Sequence, residues 1–243
     1  MNDARYVFPT SFAQERLWFL DQLSPGSPLY NLSLSVPLPE PVHVAALEHA
    51  LREIVRRHET LRTTFTAQDG RPMQVVHATG TVPLEVADLR ARSADAVERE
   101  GARVLREAAE RPFDLAVGPL LRGTLLRLSR DQAVLLLVMH HIVSDGWSME
   151  VLHRELGALY AAYVADRPSP LTELPVQYAD YAVWQRGQLD GPALDAQRAY
   201  WTAHLAGAPP RMDLPSDRPR PLVQSFRGAS QSRRLSAADR VAA

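Results

Sequence analysis

The clearest regularity along the chain is a set of apolar residues that recur every three or four positions, the spacing of a helix with one buried face. Within Val44 to Arg57 the residues that share this face are Leu47, Leu51, Ile54 and Val55. The same spacing predicts a helix after residue 146 that carries Met149, Leu152, Leu156, Leu159 and Tyr163. Two more helices are predicted, one over Ser11 to Gln22 and a polar one over Ala94 to Glu110.

Other segments show strand patterns. Leu61 to Phe65 alternates between apolar and polar residues, which predicts a strand with one buried face. The pair Asp69 and Gly70 then predicts a tight hairpin turn into a second strand over Met73 to His77. A short strand is expected around Val82 to Val86.

Two longer strands are predicted over Leu120 to Leu128 and Ala133 to Met139, joined by a polar turn. The second of them is apolar throughout and does not alternate. This pattern favours a central strand that is covered on both faces.

The last third of the chain is divided by two Pro-rich connectors, Arg167 to Pro175 and Ala208 to Pro221. We therefore expect a first lobe over 1–175, a helical segment and interlobe crossover over 176–221, and the start of a further lobe over 222–243. In that last part, Gln224 to Leu235 is a predicted strand and Ser236 a predicted helix start. One helical turn is not stable alone, so we expect the sequence to be cut inside a larger protein.

Composition excludes several kinds of chemistry. The chain has 243 residues, 46% of them hydrophobic, which is enough for a substantial core. A net charge of -1 with interspersed charges gives no basic face for nucleic acid. The chain contains no cysteine, and all 27 of its basic residues are arginine, so thiol nucleophiles and lysine Schiff bases are excluded within it. No apolar run is long enough for a membrane span or a signal peptide, and we expect a cytoplasmic protein.

The strongest candidate for chemistry is the sequence His-His-Ile-Val-Ser-Asp-Gly at 140–146, directly after the apolar strand. Adjacent strand residues point to opposite faces, so the two rings cannot bind one metal ion, and we expect no metal site. We expect His140 to face the core and His141 to face a cleft. There an imidazole with an ordinary pKa near about 6.5 could accept or relay the proton of an attacking amine.

The residues after the histidines have predicted supporting roles. Asp145 could orient the loop through a buried ion pair with Arg62, or it could act only as the helix cap, a role for which Ser148 is the other candidate. Gly146 would permit a tight turn beside the reacting centre. Amides at the helix start could stabilise a developing oxyanion.

At these residues the chain resembles the condensation domains of nonribosomal peptide synthetases, whose signature is His-His-x-x-x-Asp-Gly. Other segments match motifs of the same family, so the resemblance covers essentially the whole chain. They are 11–20 (Ser-Phe-Ala-Gln-Glu-Arg-Leu-Trp-Phe-Leu), 57–65 (Arg-His-Glu-Thr-Leu-Arg-Thr-Thr-Phe), 111–115, 118–122 and 178–185.

The resemblance implies an α/β (α+β) fold like chloramphenicol acetyltransferase, with a mixed central sheet flanked by helices and a tunnel between two similar lobes. It implies no cofactor bound by the domain itself. Donor and acceptor would arrive as thioesters on the phosphopantetheine arms of carrier-protein domains, and adjacent synthetase domains would be further partners. His141 would be the catalytic histidine, Gly146 would lie near the attacked carbonyl, and Asp145 and Arg62 would form a structural ion pair, with His140 and Ser148 as supporting residues.

Later motifs of the family do not occur in the chain, so we expect this fragment alone to be inactive or nearly so. An epimerisation domain or an ester-forming relative is an alternative, although Asp145 to Ser148 favours condensation over epimerisation. The two histidines disfavour a heterocyclising domain. Among condensation subtypes we favour one that accepts a D-configured donor. A catalytically silent platform that only docks carrier proteins is the alternative from another class.

Overall fold

The computed structural model describes residues 5–189, 191–209, 212, 215 and 217–219. The helices are α1 (Phe12–Leu23), α2 (Val44–Arg57), α3 (Ala94–Glu110), α4 (Gly146–Val164), α5 (Tyr178–Gln188) and α6 (Gly191–His204). The strands are β1 (Arg5–Pro9), β2 (Asn31–Pro39), β3 (Thr63–Gln68), β4 (Arg71–His77), β5 (Leu84–Asp88), β6 (Leu121–Arg127) and β7 (Gln132–His140). The predicted bounds of α2 and α3 are confirmed to the residue.

A four-stranded sheet in the order β2-β7-β6-β5 forms the centre of the fold. Its pairs are antiparallel except β5 with β6, which run parallel and are joined through α3. The mixed central sheet is therefore confirmed. The central position of β7 is confirmed as well, because it lies between β2 and β6 and is buried along nearly its whole length.

A second, antiparallel sheet has the order β1-β4-β3. The predicted hairpin between β3 and β4 is confirmed, with Gln68 opposite Arg71. Asp69 and Gly70 have φ values of 51° and 77°. Positive φ at both central residues is what a two-residue type I′ turn requires, and it follows the right-handed twist of the strands.

The core joins the four-stranded sheet to helices α2 and α4. The fully buried side chains of α2 include Leu47, Leu51 and Ile54, and Leu159 of α4 is fully buried as well. These are the positions that the helical spacing identified as one apolar face. Burial of such a face is what stabilises helices of this length in a protein.

Three features differ from the predictions. Strands β1 and β2 were not predicted at all. The strand expected from Leu61 begins only at Thr63, because Glu59–Arg62 forms a 3₁₀ turn first. Burial still alternates through Leu61, Thr63 and Phe65, so the pattern identified the buried face and not the backbone conformation.

The chain divides into two compact units after residue 200. None of the described helices is long and apolar enough to cross a membrane. The strand over 224–235 and the helix start at 236 lie outside the described residues, as does most of the connector over 208–221. The predicted domain borders therefore stay predictions.

One close contact leads to a stability prediction. A Cβ added at Gly80 would lie 2.7 Å from both Arg62 Cβ and Val55 Cγ1, whereas one added at Gly157 in α4 would meet nothing within 4 Å. We expect Gly80→Ala to destabilise the protein by about 1–3 kcal/mol through overpacking. Gly157→Ala should stabilise it by about 0.5–1 kcal/mol, because glycine is a poor residue inside a helix. Urea unfolding measures both changes, and equal midpoints for the two variants would contradict the prediction.

Candidate active site

His140 is the last residue of β7 and lies in the interior, with 2% of its surface exposed. Its Nδ1 accepts a hydrogen bond from the Ile142 amide at 3.1 Å. The Phe113 ring meets it edge to face at a centroid distance of 6.2 Å. Burial, with a smaller effect of His141, lowers the pKa of His140 to about 4. The ring is therefore neutral at neutral pH and accepts a hydrogen bond from the turn that follows it.

His141 begins a short 3₁₀ turn, and its side chain lines a cleft of about 650 Å³. Its amide donates to the Tyr30 carbonyl at 2.8 Å. The ring Nδ1 lies 2.7 Å from the Ser144 carbonyl oxygen. Because a carbonyl oxygen can only accept, Nδ1 carries the hydrogen of this contact, and in the neutral ring the lone pair is on Nε2. The structure thus turns one histidine inward and presents the other to the cleft.

Asp145 is the N-cap of α4. Its Oδ1 accepts from the Ser148 amide at 2.8 Å and from the Ser148 hydroxyl at 2.6 Å. These hydrogen bonds lower the pKa of the carboxyl group, so it is ionised at neutral pH. The cap residue is thus Asp145, and Ser148 supplies the donors. Since the Ser148 amide is occupied by the carboxylate, the predicted oxyanion site at the helix start is not formed by this group.

The predicted ion pair between Asp145 and Arg62 is not formed among the described residues. Arg62 donates to Glu59 Oε1 at 3.2 Å and to the His77 carbonyl. Its location explains the difference: Arg62 ends the 3₁₀ turn that precedes β3, and that backbone directs its side chain toward β4. The alternative that Asp145 acts as a helix cap without an arginine partner describes this structure.

Gly146 is the first residue of α4 and is exposed. A Cβ added there would meet no atom within 4 Å. Its φ is not in the positive range that favours glycine. Gly146 was expected to permit a tight turn, but neither its φ nor a close contact within this chain requires glycine there. Its predicted place beside the attacked carbonyl stays a prediction.

The cleft that His141 lines, called the His141 cleft below, is built from five separate segments of the chain, including Tyr30 before β2. Helix α1 contributes Gln14 and Leu17, the end of α2 contributes His58, and the start of α5 contributes Tyr178. The Tyr178 hydroxyl is 3.0 Å from Ser11 Oγ, which ties the starts of α5 and α1 together. Mixed apolar and polar walls of this kind are typical of sites that bind a small molecule or part of a cofactor.

A buried charge cluster behind the cleft was missed by sequence reasoning. Glu155 of α4 lies 3.3 Å from Arg57 Nε and 2.7 Å from His58 Nε2. The Arg57 and Glu155 side chains are only 8% and 9% exposed. The sequence placed His58 among scattered histidines, but its position next to Arg57 and Glu59 in a matched motif was a usable signal.

Gln177 connects this cluster to α5. Its side-chain amide donates to the Arg57 carbonyl at 3.0 Å and its oxygen accepts from the Glu59 amide at 3.1 Å. Both polar ends of the side chain are thus used to hold the connector before α5 against the end of α2.

Among the described residues there is no group of three or more His, Cys, Asp or Glu that could hold a metal ion.

The fold and the histidine cleft together define an α/β lobe of the chloramphenicol acetyltransferase-like class. The family described as Condensation domain matches residues 4–242. The chain therefore belongs to the condensation domains of nonribosomal peptide synthetases, as the sequence resemblance predicted.

Curated relatives are much longer than this chain. One of the linear gramicidin synthase proteins of Brevibacillus parabrevis is 49% identical over 224 residues, which are 92% of this chain and 3% of that protein. Phosphinothricin tripeptide synthetase PhsC of Streptomyces viridochromogenes is 49% identical over 221 residues, 91% of this chain and 20% of that protein. The chain thus spans a small part of the length of these relatives.

Solved structures of similar fold are about twice as long as the matched part. The X-domain in its complex with OxyB from teicoplanin biosynthesis has a TM-score of 0.77 and 34% identity, covering 90% of this chain and 48% of that one. The starter condensation domain of rhizomide synthetase RzmA has a TM-score of 0.75 and 23% identity, covering 84% of this chain and 49% of that one. The second likeness shows the fold alone.

The buried histidine gives a pH prediction. The pKa of His140 in the folded chain is about 4, below its ordinary value of 6.5. Between these two pH values the unfolded chain binds a proton at this histidine and the folded chain does not, so lowering the pH favours unfolding. Stability from this group is complete above about pH 6.5 and is lost toward pH 4, by up to about 3 kcal/mol. Urea unfolding at pH 7 and pH 4.5 should show a smaller loss for His140→Asn than for the wild type. The exposed control His153→Asn should retain the wild-type loss, and identical losses for all three proteins would refute the assignment.

The buried ion pair gives a second prediction. Glu155→Gln would leave Arg57 buried without its charge partner, and we expect a loss of about 3–5 kcal/mol in the free energy of unfolding. The matched control is Glu107→Gln, which breaks the exposed pair with Arg103 (60% and 47% exposed) and should cost less than about 0.5 kcal/mol. Chemical unfolding measures both variants. Similar losses at the two positions would show that Arg57 is not held by Glu155.

Proposed function

We propose that the chain is the first lobe of a condensation domain that transfers a carrier-bound acyl or peptidyl thioester to the amine of a carrier-bound aminoacyl acceptor. The observation that carries the proposal is the His141 ring, which lines the cleft and whose Nδ1 is 2.7 Å from the Ser144 carbonyl. That contact fixes the tautomer with Nε2 as the basic nitrogen. Carrier-protein domains, their phosphopantetheine arms and adjacent synthetase domains are the partners that the proposal requires.

In the proposed reaction the acceptor nitrogen attacks the thioester carbonyl carbon, and the C–N bond forms as the C–S bond breaks. His141 Nε2 takes a proton from that nitrogen and returns it to the leaving thiolate, so the ring ends the cycle neutral. Nδ1 keeps its hydrogen throughout because the Ser144 carbonyl accepts it. Since the acyl group arrives activated, the absence of cysteine from the chain presents no difficulty.

His140 and Asp145 have positioning roles in this proposal. His140 is buried and accepts from the Ile142 amide, so it supports the turn that carries His141. Asp145, with Ser148, fixes the start of α4 next to that turn. A Cβ added at Gly146 would meet no atom of this chain, so the space beside this residue is open. That open space supports a close approach of the substrate to Gly146.

Arg62 has no contact with the reacting centre in this proposal. Its hydrogen bonds go to Glu59 and the His77 carbonyl. We assign it to stabilising the end of the 3₁₀ turn before β3.

The proposal is tested with a completed domain, in which residues 1–243 are followed by the remaining half of the condensation domain from the linear gramicidin synthase relative. Peptide formation from two loaded carrier proteins should be robust for the completed domain and absent or nearly so for residues 1–243 alone. His141→Ala in the completed domain should lower the rate by about 10²- to 10⁴-fold, the usual contribution of a general base. His153→Ala, at an exposed position of α4, is the control and should leave the rate unchanged.

A silent docking platform is the second candidate. The observation that favours it is the likeness to the X-domain, a protein whose structure was solved in complex with OxyB. If this candidate were right, His141→Ala would leave product formation by the whole synthetase unchanged. Robust turnover by residues 1–243 alone would contradict the two-lobe requirement instead.

A further inference from the structure

A small pocket adjoins the His141 cleft and has a volume of about 140 Å³. We call it the apolar side pocket. Its walls come from the end of α2, the 3₁₀ turn over Glu59–Arg62, the end of β7, the turn after His141 and the first two turns of α4. Its apolar lining includes Ile54, Leu61, Met139, Trp147, Val151 and Leu152.

The pocket is built on rigid elements. Ile54, Leu61, Met139 and Leu152 are all at most 6% exposed and belong to the core or its edge. Protein interiors are close-packed and leave few voids larger than a water molecule. A preformed space of this size beside a candidate catalytic residue is therefore a reason to look for an occupant.

The walls of the pocket favour hydrocarbon. The polar groups that reach it are largely engaged in hydrogen bonds within the protein. The Ser144 hydroxyl donates to the His140 carbonyl at 3.3 Å, and the Ser148 hydroxyl donates to Asp145 at 2.6 Å. The His58 Nε2 atom lies 2.7 Å from Glu155. No arginine, aspartate or glutamate is among the described residues that line the pocket. A charged ligand group would find no counter-charge in it.

Trp147 adds a large aromatic surface on the solvent side. It lines the pocket although 77% of its surface is exposed. An aromatic ring that is apolar in body and accessible from solvent is a frequent contact for a bound apolar group. In size, the pocket is close to an apolar cavity of about 150 Å³ that accommodates benzene.

The pocket and the His141 cleft share part of their walls. The residues that line both the pocket and the cleft are His58, Thr60, Val143, Ser144 and Ser148. A unit whose carbonyl or amine lies at His141 could thus place its side chain into the pocket without leaving the cleft. The shared wall links the pocket to the reaction and not to a separate site.

We propose that the apolar side pocket binds the side chain of an aminoacyl unit that reacts at His141, and that it takes a branched aliphatic chain or a single aromatic ring. The proposal rests on the proposed function for the identity of its ligand. The donor and the acceptor are two sources of the same side-chain chemistry, and the experiment separates them.

Binding is tested first without turnover. The chain is labelled with ¹³C at its methionine methyl groups and titrated with toluene, a probe of one aromatic ring. The Met139 signal should shift saturably, because this side chain lines the pocket, while Met73 in β4 should not move. Val151→Phe fills the pocket from α4 and should abolish the shift. A Met139 signal that does not respond, or that moves no more than Met73, overturns the pocket as a binding site.

Substrate preference is tested next in the completed domain. With the acceptor fixed, donors ending in alanyl or leucyl are compared, and then the acceptor is varied with the donor fixed. Val151→Phe should lower kcat/KM for the leucyl unit relative to the alanyl unit by about tenfold or more, in one series only. That series identifies the source. The control Val164→Phe makes the same change at an exposed position of the same helix and should keep the ratio within about twofold of the wild type.

The outcomes separate the two proposals. Toluene binding at Met139 without any peptide formation by the completed wild-type domain would reject the proposed function and keep the pocket as a site. Turnover with leucyl-to-alanyl ratios that Val151→Phe leaves unchanged in both series would reject the side-chain role and keep the function. If Val151→Phe does not fold, Val151→Ala should widen the pocket and raise the relative use of a tryptophanyl unit, and an unchanged preference would again reject the role.

Discussion

The burial of His140 is the constraint on which the site depends. Apolar side chains cover β7 on both faces, and the covered region continues to the end of the strand, where an imidazole replaces a hydrocarbon. Desolvation keeps that ring neutral, and a neutral ring can accept a hydrogen bond from the Ile142 amide in the turn that follows. The chain leaves β7 after His140 and enters a 3₁₀ turn, and that turn places His141 in the wall of the cleft. One histidine is thus buried in the fold, and the other lines the cleft.

A second layer of support comes from charge. Arg57 and Glu155 join α2 to α4 at their buried faces, and His58 extends the contact to the cleft wall. Gln177 then attaches the connector before α5 to the backbone on both sides of His58. Asp145 contributes in a different way, since its partner is the start of its own helix. The loop at 141–145 is therefore held by local hydrogen bonds, while the surrounding walls are held by long-range ones.

Much of the architecture could be predicted because each element carries its own signal. The faces of α2 and α4 follow from apolar spacing, and the β3–β4 turn follows from Asp69 and Gly70. Strand β2 was missed although Leu32, Leu34, Val36 and Leu38 alternate, because Pro37 and Pro39 argue against a strand. Its place at the sheet edge resolves the conflict, since a residue without an N–H is tolerated there.

Side-chain partners were harder to predict than elements. The choice between Glu59 and Asp145 for Arg62 depends on a 3₁₀ turn that residue types do not reveal, and the partner of Arg57 is 98 positions away. That separation is typical of the cleft, whose walls come from residues near 14, 30, 58, 141 and 178. Bringing together segments so distant along the chain costs loop-closure entropy. The cleft therefore cannot exist as a local peptide motif, because the signature at 140–146 supplies only one of its walls.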